Sequence, residues 1–270
     1  MEKPPASPVS ESSGLEVRSY FVRGRNALVT RAHLGELYLD YYLHQGQLGR
    51  QHAIRDDGML KELLAANLLH AASRPWNESI AWTLHWHALE LNLFVTCENP
   101  TGRIVGQIFT ENVRKTGRNL FCADVVRSNA AASRSAVEFE GDSVFGAAEW
   151  FYLQSEQRPA RFFEIEPEDY VMVSAQPDCE EGWIEELGLE DVRTLDARES
   201  LSLLERRYYR WECGCSQERM MHILVPVLRR DAEGLFGEES LLRIGCPRCG
   251  QRHTVTREGL EAYALTLGDG

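Results

Sequence analysis

Within residues 59–73, Leu60, Leu63, Leu64, Leu68 and Leu69 recur at helical spacing, which predicts an amphipathic helix. The period then changes. Leu89, Leu91, Leu93, Val95 and Cys97 alternate with Glu90, Asn92 and Thr96, the two-residue repeat of a half-buried strand, although Phe94 lies on the other face. Asn99, Pro100 and Gly102 supply a turn, and the run RIVGQIF over residues 103–109 suits an antiparallel return strand. Further strands are expected over residues 120–126, 136–139, 161–165 and 170–175, with a helix over residues 143–157. Strands in runs with interspersed helices indicate an α+β fold, not a strict βαβ alternation.

Outside these elements the pattern weakens. Residues 1–14 are rich in Pro, Ser and Glu and carry few apolar side chains, so they read as a mobile tail. From Glu156 to Asp191 there are 12 acidic residues against Arg158 and Arg161, the expected signature of a solvated connector. Residues 176–212 are charged and poor in β-branched side chains, with one helix expected around residues 196–208, and so read as a helical linker. The expected organisation is therefore an N-terminal mixed sheet-and-helix domain over residues 15–175, that linker, and a small C-terminal domain over residues 213–270.

Composition narrows the function classes. With 43% hydrophobic and 26% charged residues the chain is a folded one, and its net charge of −12 disfavours general binding to nucleic acid or an anionic membrane. The longest uncharged stretches, residues 63–73 and 79–89, are too short to span a bilayer, and the first residues lack the apolar run of a secretory signal, so a cytoplasmic protein is expected. In that compartment thiols stay reduced, which makes the 7 cysteines candidates for metal or redox chemistry and not for a disulfide framework.

Four of them form two close pairs, Cys213-Gly-Cys215 and Cys246-Pro-Arg-Cys249, separated by 30 residues. In an extended stretch Cys213 and Cys215 would project to the same side, and Pro247 would fix φ inside the second pair. Four thiolates complete a tetrahedral zinc site with no open position, so hydrolytic chemistry is not expected. Between the pairs, Ser216 is placed to cap a helix through Met221, which Pro226 would end or kink; beyond them RHTVT suggests a strand and REGLEAYAL a terminal helix. A module this small buries little apolar surface, so one zinc ion would hold it together. Arg210, Arg219, Arg248 and Arg252 lie near the ligands in sequence and would soften the charge of the site. The spacing identifies a metal and not its regulation, and by itself it favours a permanent structural ion, because closed four-thiolate sites are mostly structural.

At these residues the sequence resembles the heat shock protein 33 family, zinc-dependent holdase chaperones regulated by redox state. The spacing of the four cysteines matches, as does CGCSQER at residues 213–219. Upstream, GDSVFGAAEWFYLQSEQRPARFF at residues 141–163 is similar to the family's stretch of Gly-Asp, a helix, and Ser-Glu-Gln, here Ser155, Glu156 and Gln157, followed by Pro159 and Arg161. Val22-Arg23-Gly24 and the helix ELLAANLLHAA also fit. The resemblance implies a chaperone without enzymatic activity, inactive while reduced and zinc-bound. On oxidation Cys213 pairs with Cys215 and Cys246 with Cys249, zinc leaves, the linker unfolds and unfolding client proteins are held, with dimerisation on activation. The chain departs from the family in a shorter stretch before Cys213 and in TLHWHA, residues 83–88, where a glycine-rich hairpin is expected.

Other residues are read more plainly. His85 and His87 flank Trp86 at a spacing that suits metal but with no third ligand nearby; they are taken as strand residues. Cys97, Cys122 and Cys179 are scattered and behave as small hydrophobes. His253 stands four residues after Cys249 and is the one candidate to replace a thiol ligand. Two other functions compete: a constitutive zinc-ribbon-like module that recruits protein or RNA, and a thiol oxidoreductase, which lacks the expected βαβ context.

Overall fold

The structure is a computed structural model and describes residues 14–113, 116–128 and 130–268; most of the expected N-terminal tail lies outside the described residues. By its contacts the chain divides into two units, one ending at Glu212 and one beginning at Cys213.

The first unit is built on ten strands: β1 (Leu15–Arg23), β2 (Ala27–His33), β3 (Glu78–Trp86), β4 (Leu91–Glu98), β5 (Arg103–Phe109), β6 (Asn119–Arg127), β7 (Ala130–Phe139), β8 (Ala160–Glu166), β9 (Asp169–Ala175) and β10 (Ser200–Trp211). They lie in the order β7-β6-β3-β4-β5-β10-β1-β2-β9-β8. Neighbours pair antiparallel except β5 and β10, which meet in parallel through Arg103↔Arg210 and Ile104↔Trp211. The β4–β5 hairpin forms with Cys97 opposite Ile104, as the alternation and the turn residues require.

Helix α1 (Gly35–Gln47) precedes α2 (Ile54–Ala72), which packs on strands from both halves of the sheet. Its leucine stripe was expected to face one core, but the helix is buried nearly all round: Leu60, Leu63, Leu64, Leu68, Ala65, Ala66 and Ala71 are inaccessible. Small residues allow this close seating. A Cβ on Gly106 of β5 would stand 3.1 Å from Leu60 Cδ1 and 3.0 Å from the Phe94 carbonyl oxygen. The carbonyls at the end of α2 are met by buried donors, Asn99 Nδ2 at 2.8 Å from the Ala71 oxygen and an Arg207 guanidinium nitrogen at 2.7 Å from the Arg74 oxygen. Helix α3 (Val144–Phe151) starts on Ser143, whose hydroxyl accepts from the Gly146 amide, and continues as a π-helical turn over Tyr152–Glu156.

The helix expected around residues 196–208 is not there. After a single turn the chain enters β10, where Tyr209 and Arg207 face inward and pair in register with Leu15 and Val17 of β1. The charged residues that favoured a helix by propensity are overridden by this pairing and by the role of Arg207 at the end of α2. Helical structure in the stretch read as linker is confined to α4 (Glu181–Glu186), α5 (Leu189–Arg193) and α6 (Leu195–Arg198). These helices place Ile184, Leu187, Val192 and Leu195 over Val22, Val29, Ile165 and Val173, on the face of β1, β2, β8 and β9 opposite α2. They form a cover. The β1–β2 turn clasps both ends of it: Arg25 donates to Glu180 at 2.9 Å and to Glu199 at 3.1 Å and lies over the Trp183 ring. Much of the acidic stretch is thus paired with arginine and not simply solvated, since Glu190 and Asp191 also meet Arg193 and Arg198.

The second unit contains α7 (Gln217–Arg230), α8 (Ala232–Phe236), the antiparallel pair β11 (Leu241–Gly245) and β12 (Arg252–Thr256), and α9 (Arg257–Thr266). Ser216 caps α7 as expected, but Pro226 neither ends nor interrupts the assigned helix, which runs on to Arg230. Continuing it buries Val225 and Leu228 with Phe236, Val255 and Leu260, which offsets the single hydrogen bond that proline forfeits.

Ile184, fully buried under the cover, tests how that layer is held. Ile184→Ala removes about 2–5 kcal/mol of packing, so amide hydrogen exchange over residues 181–198 is expected to accelerate more than tenfold while β9 keeps its protection.

Candidate metal centre

Cys213 and Cys215 lie just before α7, and Cys246 and Cys249 in the turn between β11 and β12. The turn is closed by the Cys246 amide donating to the Gln251 carbonyl and the Gly250 amide to the Cys246 carbonyl, both at 2.8 Å. Gly250, just past Cys249, takes φ +78°, a conformation that suits glycine. The first pair is not extended as expected. In a strand, residues two apart stand about 6.6 Å apart, too far for adjacent sulfurs to share an ion comfortably; instead Gly214 takes φ +65° and bends the backbone between the two cysteines.

The four sulfurs converge to within 4.8 Å of one another, and among the described residues this is the one cluster of three or more such side chains placed to hold a metal. Cys213 Sγ is 3.6 Å from Cys246 Sγ, and Cys215 Sγ is 3.7 Å from Cys249 Sγ. A tetrahedron with metal–sulfur bonds of about 2.3 Å has edges of about 3.8 Å. The donor set and its spacing therefore fit one tetrahedral tetrathiolate ion. Cys246 and Cys249 are buried, while Cys213 and Cys215 are partly exposed.

Electrostatics favour a cation here. Burial and then the neighbouring Cys213 sulfur push the Cys215 thiol up to about 12, and hydrogen bonding to Cys246 and Cys249 together with burial drives Cys213 upward as well. Cys246 moves the opposite way because thiols of Cys213 and Cys249 and the backbone N–H groups of Cys249 and Arg248 all aim at its sulfur. Without a cation, the cluster concentrates negative charge on one sulfur and keeps protons on its neighbours; with one, all four can ionise.

The family model described as "Hsp33 protein" matches residues 164–256, a span that holds all four cysteines. A 33 kDa chaperonin of Chromobacterium violaceum is 23% identical over 230 residues, covering 74% of this chain and 78% of that protein. A second, from Caldanaerobacter subterraneus, is 33% identical over 73 residues, 27% of this chain, and the match spans about a quarter of that relative's length. The crystal structure of the heat shock protein 33 homologue of Thermotoga maritima superposes with a TM-score of 0.71 over 95% of this chain and 100% of that one, at 12% identity, which speaks for the fold. In fold, and in the segment that holds the four cysteines, the chain is similar to the Hsp33 family.

The structure also places the remaining residues singled out by sequence. His85 Nδ1 lies 2.6 Å from Asn92 Oδ1 across the β3–β4 ladder, and His87 sits in the turn that follows, its amide donating to Asn119 Oδ1; neither joins a metal cluster. Cys97 is buried between Ile80 and Ile104 in the sheet, where burial pushes its thiol far up. Cys179 packs against the cover and Cys122 lies on β6, away from the four-sulfur cluster. His253 does not replace a thiol, since all four sulfurs already converge; its Nε2 is 3.3 Å from Cys215 Sγ. Arg210, expected to soften the charge of the site, is paired with Glu212 at 2.6 Å. The sulfurs are instead met by backbone N–H groups and by the His253 ring, partners set by turn geometry and strand register, which sequence spacing does not reveal.

Because Cys213 and Cys215 hold protons in the metal-free cluster, binding an ion releases protons and affinity rises with pH. Titration of cobalt(II) into the reduced apoprotein is expected to give one equivalent of tetrahedral thiolate absorption with measurable acid release. Cys246→Ser is expected to weaken binding at least tenfold and shift the thiolate-to-cobalt band.

Proposed function

We propose that the chain is a redox-regulated, ATP-independent chaperone of the holdase type, held inactive by one zinc ion on Cys213, Cys215, Cys246 and Cys249. The convergence of four thiols in one small unit carries this reading. The match to the Hsp33 family model over residues 164–256 and the chaperonin names of similar proteins support the chaperone assignment. Zinc, when bound, supplies charge neutralisation for four thiolates and a covalent-strength staple for its unit. That staple matters because the unit's own core consists of five buried side chains, Val225, Leu228, Phe236, Val255 and Leu260, apart from the cysteines and Met220. Structural zinc contributes about 10–16 kcal/mol in small zinc peptides.

In the proposed switch Cys213 joins Cys215 and Cys246 joins Cys249. Each thiolate pair gives up two electrons to a peroxide and forms one S–S bond, while the peroxide takes two protons from solvent and leaves as two waters. Sulfurs bonded to one another no longer serve as thiolate ligands, so the ligand set is dismantled and the unit loses its staple. The accessible sulfurs of Cys213 and Cys215 meet oxidant first, while Cys246 and Cys249 are shielded. The partners are unfolding polypeptides, which bind apolar surface exposed by the switch, with homodimerisation accompanying activation. Among the described residues no helix is long and apolar enough to cross a membrane. No step in this scheme turns over a substrate, so the protein is not an enzyme in this reading.

Peroxide treatment of the reduced, zinc-loaded protein is expected to release one zinc per chain and to produce suppression of client aggregation that a thiol reductant reverses. Peptide mapping should recover the two proposed disulfides. Complete zinc release with no gain in aggregation suppression would reject the switch and favour a constitutive zinc-ribbon-like binding module.

A further inference from the structure

The two cysteines of the β11–β12 turn receive backbone donors: the Arg248 and Cys249 amides reach Cys246 and the Gln251 amide reaches Cys249. Cys215 is served differently, by the imidazole of His253, whose Nε2 stands 3.3 Å from its sulfur. This contact is built by the sheet. The β11–β12 ladder sets His253 opposite Ile244 and Arg252 opposite Gly245, with Val255 opposite Leu242. On β12, Val255 is buried and His253 half-buried, whereas Arg252, Thr254 and Thr256 are exposed, so the histidine lies on the inward face of the strand. A slip of one residue would turn it away from the sulfur.

We propose that His253 is a positioning residue for the metal centre, its Nε2–H donating to the Cys215 thiolate and thereby setting how firmly that sulfur keeps its ion. The inference rests on the four-thiolate reading of the site. A metal-bound thiolate accepts hydrogen bonds and donates none, so it selects the tautomer with the proton on Nε2. The hydrogen bond disperses charge from a partly exposed sulfur that is otherwise accessible to water and oxidant. It also fixes the direction in which Cys215 presents its lone pairs. Groups that orient a ligand in this way typically change metal affinity by about 10–100-fold when removed.

The test uses the full-length, zinc-loaded protein. Nitrogen-15 NMR of the His253 ring is expected to show the proton on Nε2, and cadmium-113 substitution to show no coupling between the ring and the metal. His253→Phe keeps an aromatic ring and removes the donor; zinc transfer to a chromophoric chelator is expected to accelerate about tenfold or more. His253→Gln, which restores an N–H of similar reach, should recover part of the loss, and Thr254→Ala on the outward face should leave the rate unchanged. Equal transfer rates for His253→Phe and the unmodified protein overturn the proposal, as does a ring nitrogen found bonded to cadmium, which would make the histidine a ligand. A reduced, unmodified protein that carries no stoichiometric zinc rejects the underlying metal site itself, an outcome separate from either of these.

Discussion

Four sulfur atoms within van der Waals reach of one another cannot all carry charge unless a cation sits among them. That constraint organises the C-terminal unit of this protein. The bend at Gly214 and the Cys246–Gln251 turn bring the two cysteine pairs together at the separations of a tetrahedron, and the adjoining elements, α7, β12 and α9, bury a core of a few side chains. Such a unit sits near the lower limit of what apolar burial alone stabilises. Its folding and its thiol chemistry are therefore coupled through the same four atoms, which is the physical basis for reading it as a switch.

The first unit obeys a different logic. A helix buried on nearly all sides, α2, lies against a ten-stranded sheet, and the polar groups at its end are met by Asn99 from the β4–β5 turn and Arg207 from β10. Among its described residues this unit holds no cluster of metal-ligating side chains. On the opposite face of β1, β2, β8 and β9, three short helices cover a second apolar layer through a handful of side chains and the clasp formed by Arg25. Short helices with exposed ion pairs belong to the least stable end of a fold, because each hydrogen-bonded turn is marginal by itself and surface charge pairs add little.

The proposed function draws on both features. In that reading one unit would supply a redox-sensitive staple, and the other has an apolar layer beneath a cover of short helices. The proposed role of His253 against Cys215 would add a further level of control, since the strand register that seats the imidazole belongs to the same unit as the four sulfurs.

Much of the local structure was legible in the chain. The alternation of Leu91, Leu93, Val95 and Cys97 marked β4, the Asn99–Gly102 turn marked its hairpin with β5, and the paired cysteines marked the cluster of four sulfurs, because each signal lives within a few residues or in a chemistry with few alternatives. Tertiary structure decided the rest. Charged, helix-favouring residues at 200–208 became strand β10 because β1 offered a complementary register and Arg207 a buried role; α7 ran through Pro226 because the unit's core needed Val225 and Leu228. His253 was visible as a residue near the ligands, but whether it bound the ion, supported a ligand or faced water depended on the pairing of β11 with β12. Spacing records which atoms are close along the chain, whereas a contact across a ladder exists once two distant segments have settled on a register.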